Sequence, residues 1–432
     1  MLVAVLFISL AACNGLLPGF PTPSVEAALT LTPPATEIAE KTLASPTFFP
    51  DETSAVPAET TLRLWLPPQF DPSGGTRAGD LLAARLQEFE SQNPGVKLDV
   101  RIKALEGAGG MLEALAATHA AAPLAIADLI ALPRPLLESA TLKGLLHPYD
   151  GLSTVMENQD WFEYARDLAR VQNSTFGLPF AGDALALAYR PTLIPLPPQD
   201  WSTTLAISGT LLFPAADAEA LFTLNQYQSA GGEAQDEQGR PYLDELILTD
   251  VLTYYQRAEQ VGVMPYTLTQ YETDDQVWQS FLQGEVPVAA TWSSRLLGGL
   301  SQADLAGTPL PTPDGTPFSL ATGWAWALAS PSPEKQALAS RLAEFLVAEE
   351  FLADWTEAAG VLPPRGGALI DWEDLPSRDL ASRLVDSAQL FPPSDVIASL
   401  GAVLKQATLQ VLKRQASPVS AAQAAVEGLN LP

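Results

Sequence analysis

From Leu62 to Ile130 the chain alternates between two hydrophobic periods, and this alternation restricts its fold more than any other feature. Leu62-Arg-Leu-Trp-Leu66 places apolar residues at every second position, as a strand does. Leu82, Leu86 and Phe89 fall at i, i+4 and i+7, one face of a helix that Asn93-Pro94-Gly95 stops. Residues 96–102 alternate again, and a second helix is predicted over 111–120. Leu124 to Ile130 is nearly all apolar, as in a strand buried on both faces. Strand, helix, strand, helix, strand implies βαβ units and a mainly parallel sheet. Ligands of such sheets gather at the carboxyl ends of the strands.

The pattern continues downstream. Residues 176–180 and 184–189 read as extended. Helices are predicted over 217–229, 247–260 and 276–282, and strands over 286–292 and 322–328. A long helix over 334–357 and a largely helical tail from Asp379 complete the series.

Composition narrows the partners. Fifty acidic residues against 23 basic ones give a formal charge of −27, which repels nucleic acid and anionic lipid headgroups. The one cysteine, Cys13, excludes an internal disulfide. His119 and His147 stand too far apart in sequence for a metal cluster, and Asp236-Glu-Gln-Gly-Arg240 lacks the alternating ligands of a calcium loop. There is no Gly-x-Ser-x-Gly elbow and no phosphate loop. No cofactor and no metal are expected.

Cys13 ends an apolar run, Leu2 to Leu10 followed by Ala11-Ala12, too short to span a bilayer. Leu10-Ala-Ala-Cys13 resembles the bacterial lipobox, although no Lys or Arg precedes it. Residues 14–60, rich in Pro, Thr, Ala and Ser, read as a disordered tether. The lipobox implies an exported protein, lipidated on Cys13 and held at the outer face of the cytoplasmic membrane, in the periplasm or at the cell surface.

An ordered series of short motifs from Thr61 to Arg365 resembles the extracellular solute-binding proteins of carbohydrate ABC importers, the group that includes maltose-binding protein. It comprises Phe89 with Asn93-Pro-Gly95, Ala127-Asp-Leu-Ile130 and Gly144-Leu-Leu-His-Pro-Tyr149. Next come Phe176-Gly-Leu-Pro-Phe-Ala-Gly-Asp183, Ser229-Ala-Gly-Gly232 and Phe281-Leu-Gln-Gly-Glu285. Ala321-Thr-Gly-Trp324 and Gly360-Val-Leu-Pro-Pro-Arg365 close it. The resemblance implies an α/β fold of the periplasmic-binding-protein type: two lobes, each a mainly parallel sheet flanked by helices, joined by crossing strands. The expected division is 1–13 signal, 14–60 tether, 61–183 with 292–330 as lobe 1, and 184–291 with 331–432 as lobe 2. It further implies a monomeric, non-enzymatic protein that captures a small carbohydrate and delivers it to permease subunits. The loop Leu132-Pro-Arg-Pro135 lacks the aromatic and the carboxylate of maltose-binding protein, which argues against plain maltose.

Sugars are held by aromatic faces on their C–H surfaces and by planar polar groups on their hydroxyls. The candidates are therefore Trp65, Phe70 and Asp71 at and after the first strand, and Phe180 and Asp183 in the crossing segment. Trp292 after a core strand, Gly323 with Trp324, and Arg365 complete the set. Asp183 matches a sugar-bonding carboxylate of the family by resemblance. Two rival readings are a carbohydrate-active enzyme of the glycoside hydrolase type, which needs two placed carboxylates, and a ligand-sensing lipoprotein outside transport.

Overall fold

The computed structural model describes residues 60–430, apart from 285 and 301–303. The apolar N-terminal run, Cys13 and the Pro-rich stretch to residue 59 lie outside the described residues. Thr60, assigned above to the tether, already opens the first strand.

The strands are β1 (Thr60–Leu66), β2 (Val96–Ile102), β3 (Leu129–Pro133), β4 (Arg170–Val171), β5 (Ser174–Thr175) and β6 (Leu178–Tyr189). They continue with β7 (Leu211–Leu212), β8 (Val288–Trp292), β9 (Ala306–Pro309), β10 (Ser319–Leu328) and β11 (Ala388–Leu390). The main sheet runs β2-β1-β3-β10-β6-β8-β7, with β9 on β6 and β11 on β10; β4 and β5 form a separate hairpin. β1 pairs in parallel with β2 and β3, β7 with β8, and β10 with β11. Antiparallel pairing in this sheet involves the two long strands β6 and β10.

β1 is buried on both faces, as its apolar density requires. Leu62, Leu64 and Leu66 face a core shared with Leu82, Leu86 and Phe89 of the helix Arg77–Gln92. Trp65 faces a smaller core with Met111, Ile130 and Leu137. The Thr76 side chain opens that first helix by accepting the Gly79 N–H at 3.0 Å.

Three expectations need correction. Leu124 is 90% exposed, in the turn Pro123–Ala125, and the strand begins only at Leu129. Proline at 123 and a run of small residues favour the turn over continued pairing.

The long helix over 334–357 is two, Pro333–Leu346 and Glu349–Ala359. The carbonyls at the break are taken by arginines from elsewhere. Arg85 donates to Phe345 O at 2.8 and 3.2 Å, and Arg365 to Val347 O at 3.0 Å. Tertiary hydrogen bonds there replace the helical ladder.

The expected lobe boundaries also shift. The helices Pro333–Leu346 and Glu349–Ala359 pack on Arg77–Gln92, with Phe345 5.6 Å from Phe89, so they belong beside the N-terminal strands. Conversely, the helix Ser293–Leu297 packs on β6, and β9 pairs with residues 186–189 of β6, on the opposite side of the crossing. Strand pairing, not chain order, decides which side a segment joins.

Candidate functional site at the strand crossing

β6 and β10 run antiparallel through the middle of the sheet, and each changes neighbours partway along. β10 pairs with β3 through Trp324–Leu328 and with β11 through Ser319–Ala321. β6 pairs with β10 up to Ala184 and with β8 from Leu185. At the changeover Asp183 stands opposite Thr322, and Gly182 opposite Gly323. Gly182 exchanges both backbone hydrogen bonds with Leu362, at 2.7 and 2.8 Å, so a third segment joins the crossing. A Cβ on Gly182 would fall 2.4 Å from the Tyr164 hydroxyl, and one on Gly323 2.4 Å from the Ala181 carbonyl. A side chain at Gly182 would have to displace the Tyr164 ring, and one at Gly323 would need the backbone to move.

Asp183 is half-buried here. Its Oδ1 accepts from Ser293 Oγ at 2.7 Å, from the Ser294 N–H at 3.0 Å and from the Ala184 N–H at 3.0 Å. Its Oδ2 accepts only from Ser294 Oγ, at 2.6 Å. Burial pushes the carboxyl above its ordinary range, and the hydrogen bonds from Ser294, Ser293 and Ala184 pull part of the way back. The Asp183 carboxylate thus fastens β6 to the start of the helix Ser293–Leu297 with both oxygens, and Oδ2, with a single donor, keeps acceptor capacity.

Two cavities adjoin this carboxylate. One, of about 370 Å³, is walled by Asp183, Ser294 and Trp324 together with Phe70, Gln69 and the stretch Ala358–Val361. The other, of about 300 Å³, shares Asp183, Ser294 and Trp324 and adds Trp292, Arg295 and Thr322. Both fall in the size range of small-ligand sites. A larger groove of about 560 Å³ lies between Arg134, Arg170, Gln228 and Phe391. Its Arg134 is consumed by Glu138 at 2.7 Å and by the carbonyls of Asp167, Leu168 and Arg170, and the groove lies apart from the strand crossing.

An aromatic column leads from the cavities into the core. Trp324 meets the edge of Phe70 at 5.0 Å and 83°, Phe70 lies 5.3 Å from Phe180, and Phe180 stacks on Trp326 at 4.5 Å. Trp324 is half-buried at the outer end, whereas Trp326 is 2% exposed. Trp292 meets Phe391 edge-on at 5.8 Å and turns toward the second cavity.

The structure therefore brings Asp183, Trp324, Trp292 and Phe70 to one place, with Phe70 nearly buried and backing Trp324. It separates the other candidates from it. Trp65 is 2% exposed within the smaller core, with the Lys103 ammonium 4.9 Å from its ring centroid. Phe180 is core, because its side of β6 packs on Trp326 and Trp355. Gly323 is enclosed between strands and offers a ligand no free face. Asp71 closes its own turn by accepting the Ser73 N–H at 2.8 Å and Ser73 Oγ at 2.7 Å, which hold its carboxyl below the usual range. It lines neither cavity. Arg365 is a packing residue, paired with Asp160 at 2.7 Å and lying over Trp161 at 5.1 Å, with Val347 O as a further partner.

Residues missed by sequence reasoning include Ser294, Arg295, Thr322, Gln69 and the stretch Ala358–Val361. Ser293-Ser294 directly after a core strand is a helix-start signal that could have found the first. Nothing local marks Ala358–Val361, which the chain returns to the crossing from far downstream.

Residues 84–378 match the family described as bacterial extracellular solute-binding protein, and the chain belongs to that family. Among solved structures, maltose-bound MalE3 of T. maritima aligns with TM-score 0.64 at 18% identity, over 86% of this chain and 99% of that one. The cyclic alpha-maltosyl-1,6-maltose binding protein of Arthrobacter globiformis aligns with TM-score 0.71 at 16% identity, over 87% and 98%. An ABC transporter solute-binding protein of Agrobacterium radiobacter K84 in complex with ribitol aligns with TM-score 0.60 at 19% identity, over 86% and 98%. At these identities the likeness establishes the fold, a mixed α/β architecture of the two-lobed periplasmic-binding type. No curated protein sequence matches. Among the described residues, no helix is long and apolar enough to cross a membrane, and no group of three metal-ligating side chains occurs.

Proposed function

We propose that this protein captures a sugar at the strand crossing and delivers it to the permease of an ABC importer. The observation that carries this reading is the wall shared by the two cavities: the Asp183 carboxylate, the Ser294 hydroxyl and the Trp324 indole. A carboxylate oxygen with open acceptor capacity beside an indole suits a hydroxyl-bearing ring with an apolar face. Family membership supports solute binding, and the saccharide or polyol ligands of the three aligned structures support a carbohydrate.

The protein acts outside the cytoplasm, tethered by lipid on Cys13 and a spacer that lets the body reach its ligand. It works by binding and not by turnover. Asp183 is the one carboxylate lining the two cavities among the described residues, whereas glycoside hydrolysis uses a pair flanking the bond.

Thermal denaturation of the purified protein with a panel of mono- and oligosaccharides tests this. A sugar at 100 times its dissociation constant adds about 2.7 kcal/mol. Asp183→Ala and Trp324→Ala are expected to lose the shift while remaining folded. A panel that never moves the transition, or release of product from any of these sugars, would overturn the reading.

A further inference from the structure

The charges around the second cavity are unbalanced in a way that bears on which sugar it takes. Its one cation is Arg295, and that guanidinium is already occupied on two sides. Nε donates to Asp274 Oδ2 at 2.5 Å, and Nη2 pairs with Asp275 Oδ1. Thr291 Oγ1 donates to Asp274 Oδ1 at 2.8 Å, fixing the carboxylate against the arginine. The one guanidinium at the cavity is thus balanced by Asp274 and Asp275, Asp183 is a further carboxylate lining it, and the protein as a whole carries −27. Asp183 Oδ1 takes three donors and Oδ2 one, and the residue lines the cavity together with Trp324 and Trp292. An anionic group would meet there only a guanidinium whose charge two carboxylates already balance. A cationic donor would meet an open carboxylate oxygen next to indole rings, whose faces also attract cations.

We infer that the ligand is an amino sugar, a saccharide bearing a free ammonium group, received by Asp183 Oδ2 and the flanking Trp324 and Trp292. This rests on the sugar-binding reading and deepens it. Arg295, held by Asp274 and Asp275, then serves as a positioned donor to a hydroxyl or ring oxygen of the same ligand.

The test uses the purified full chain and a series differing only at one substituent: β-1,4 tetramers of glucosamine, N-acetylglucosamine and glucose, with the three monomers. Affinity is read by titration calorimetry at two salt concentrations. The glucosamine compounds are expected to bind about tenfold more tightly than the glucose compounds, because an ammonium adds a direct ionic attraction to the hydrogen bond that a hydroxyl would also donate to the carboxylate. N-acetylation is expected to remove that advantage, and added salt to narrow it. In Asp183→Asn the preference is expected to fall within threefold.

Equal or tighter binding of a neutral sugar than of its amino counterpart overturns the charge inference and leaves sugar capture standing. Absence of binding by every amino and neutral sugar overturns both. Should Asp183→Asn fail to fold, the N-acetyl comparison on the unaltered protein decides the matter.

Discussion

Two corners of this molecule share a plan: an arginine, a tryptophan nearby and two carboxylates. At one, Arg365 lies over Trp161, 2.7 Å from Asp160 and 3.8 Å from Glu349. At the other, Arg295 follows Trp292 by three residues and is paired with Asp274 and Asp275. The difference is the remaining donor. Arg365 Nη1 ends on the Val347 carbonyl and closes a helix break, whereas Arg295 borders a cavity. A guanidinium with every arm committed to the protein is a structural part. One with an arm left over at a cavity wall can meet a ligand. The sequence offered Arg365 as a ligand candidate beside an ion-pair reading, and its contacts are those of an ion pair.

Breaking the structural corner has the largest expected effect. Arg365→Ala strips Asp160 and the Val347 carbonyl of a nearly buried partner and is expected to cost about 3–5 kcal/mol in urea unfolding. A variant of wild-type stability that has lost ligand affinity would return Arg365 to the binding site. Trp326→Ala, at the core end of the aromatic column, is expected to cost about 3–5 kcal/mol as well, with affinity preserved in the folded fraction. Two residues away, Trp324→Ala is expected to cost about 1 kcal/mol of stability but at least tenfold in affinity. Arg295→Ala, at the cavity corner, is expected to cost about 2 kcal/mol, since it leaves the half-buried Asp274 without its counter-charge, and to weaken ligand binding.

A smaller effect is read from pH. The Asp183 carboxyl titrates above its unfolded value because burial penalises its charge. Its contribution to stability is therefore fully present below the unfolded pKa and declines as pH rises through the folded one. Asp183→Asn is expected to remove that decline from a pH series of melting temperatures. Ligand affinity runs the opposite way, weakening as acidification protonates Oδ2. Cys13→Ser comes last, with no change in affinity and loss of membrane association in cell fractionation.

Much of the fold was legible because its signals are local. β1, the helix Arg77–Gln92 and β2 announce themselves by period, and Asn93-Pro94-Gly95 by its turn chemistry. The misreadings share a cause. The break between Leu346 and Glu349 is bonded by Arg85 and Arg365, distant in sequence, and helical period carries no trace of either. Trp65 and Phe180 look like site residues in a list of aromatics, yet β1 and β6 are buried on both faces, so alternation gives neither a wet side. Asp183 and Trp324 were accessible through motif resemblance. Ala358–Val361 was not, because its place beside Gly182 depends on pairing between Leu362 and β6.

The order β3-β10-β6 has a consequence for how the chain is made. The strand filling the middle of the sheet comes from residues 319–328, after both of its neighbours have been synthesised. A nascent chain that has reached residue 300 still lacks β10, the strand with which both β3 and β6 pair in the finished sheet. Completing the sheet requires contacts across long stretches of sequence, which makes folding slow. Delay of this kind keeps the polypeptide threadable, a useful property in a protein proposed to cross a membrane before it assumes its final shape.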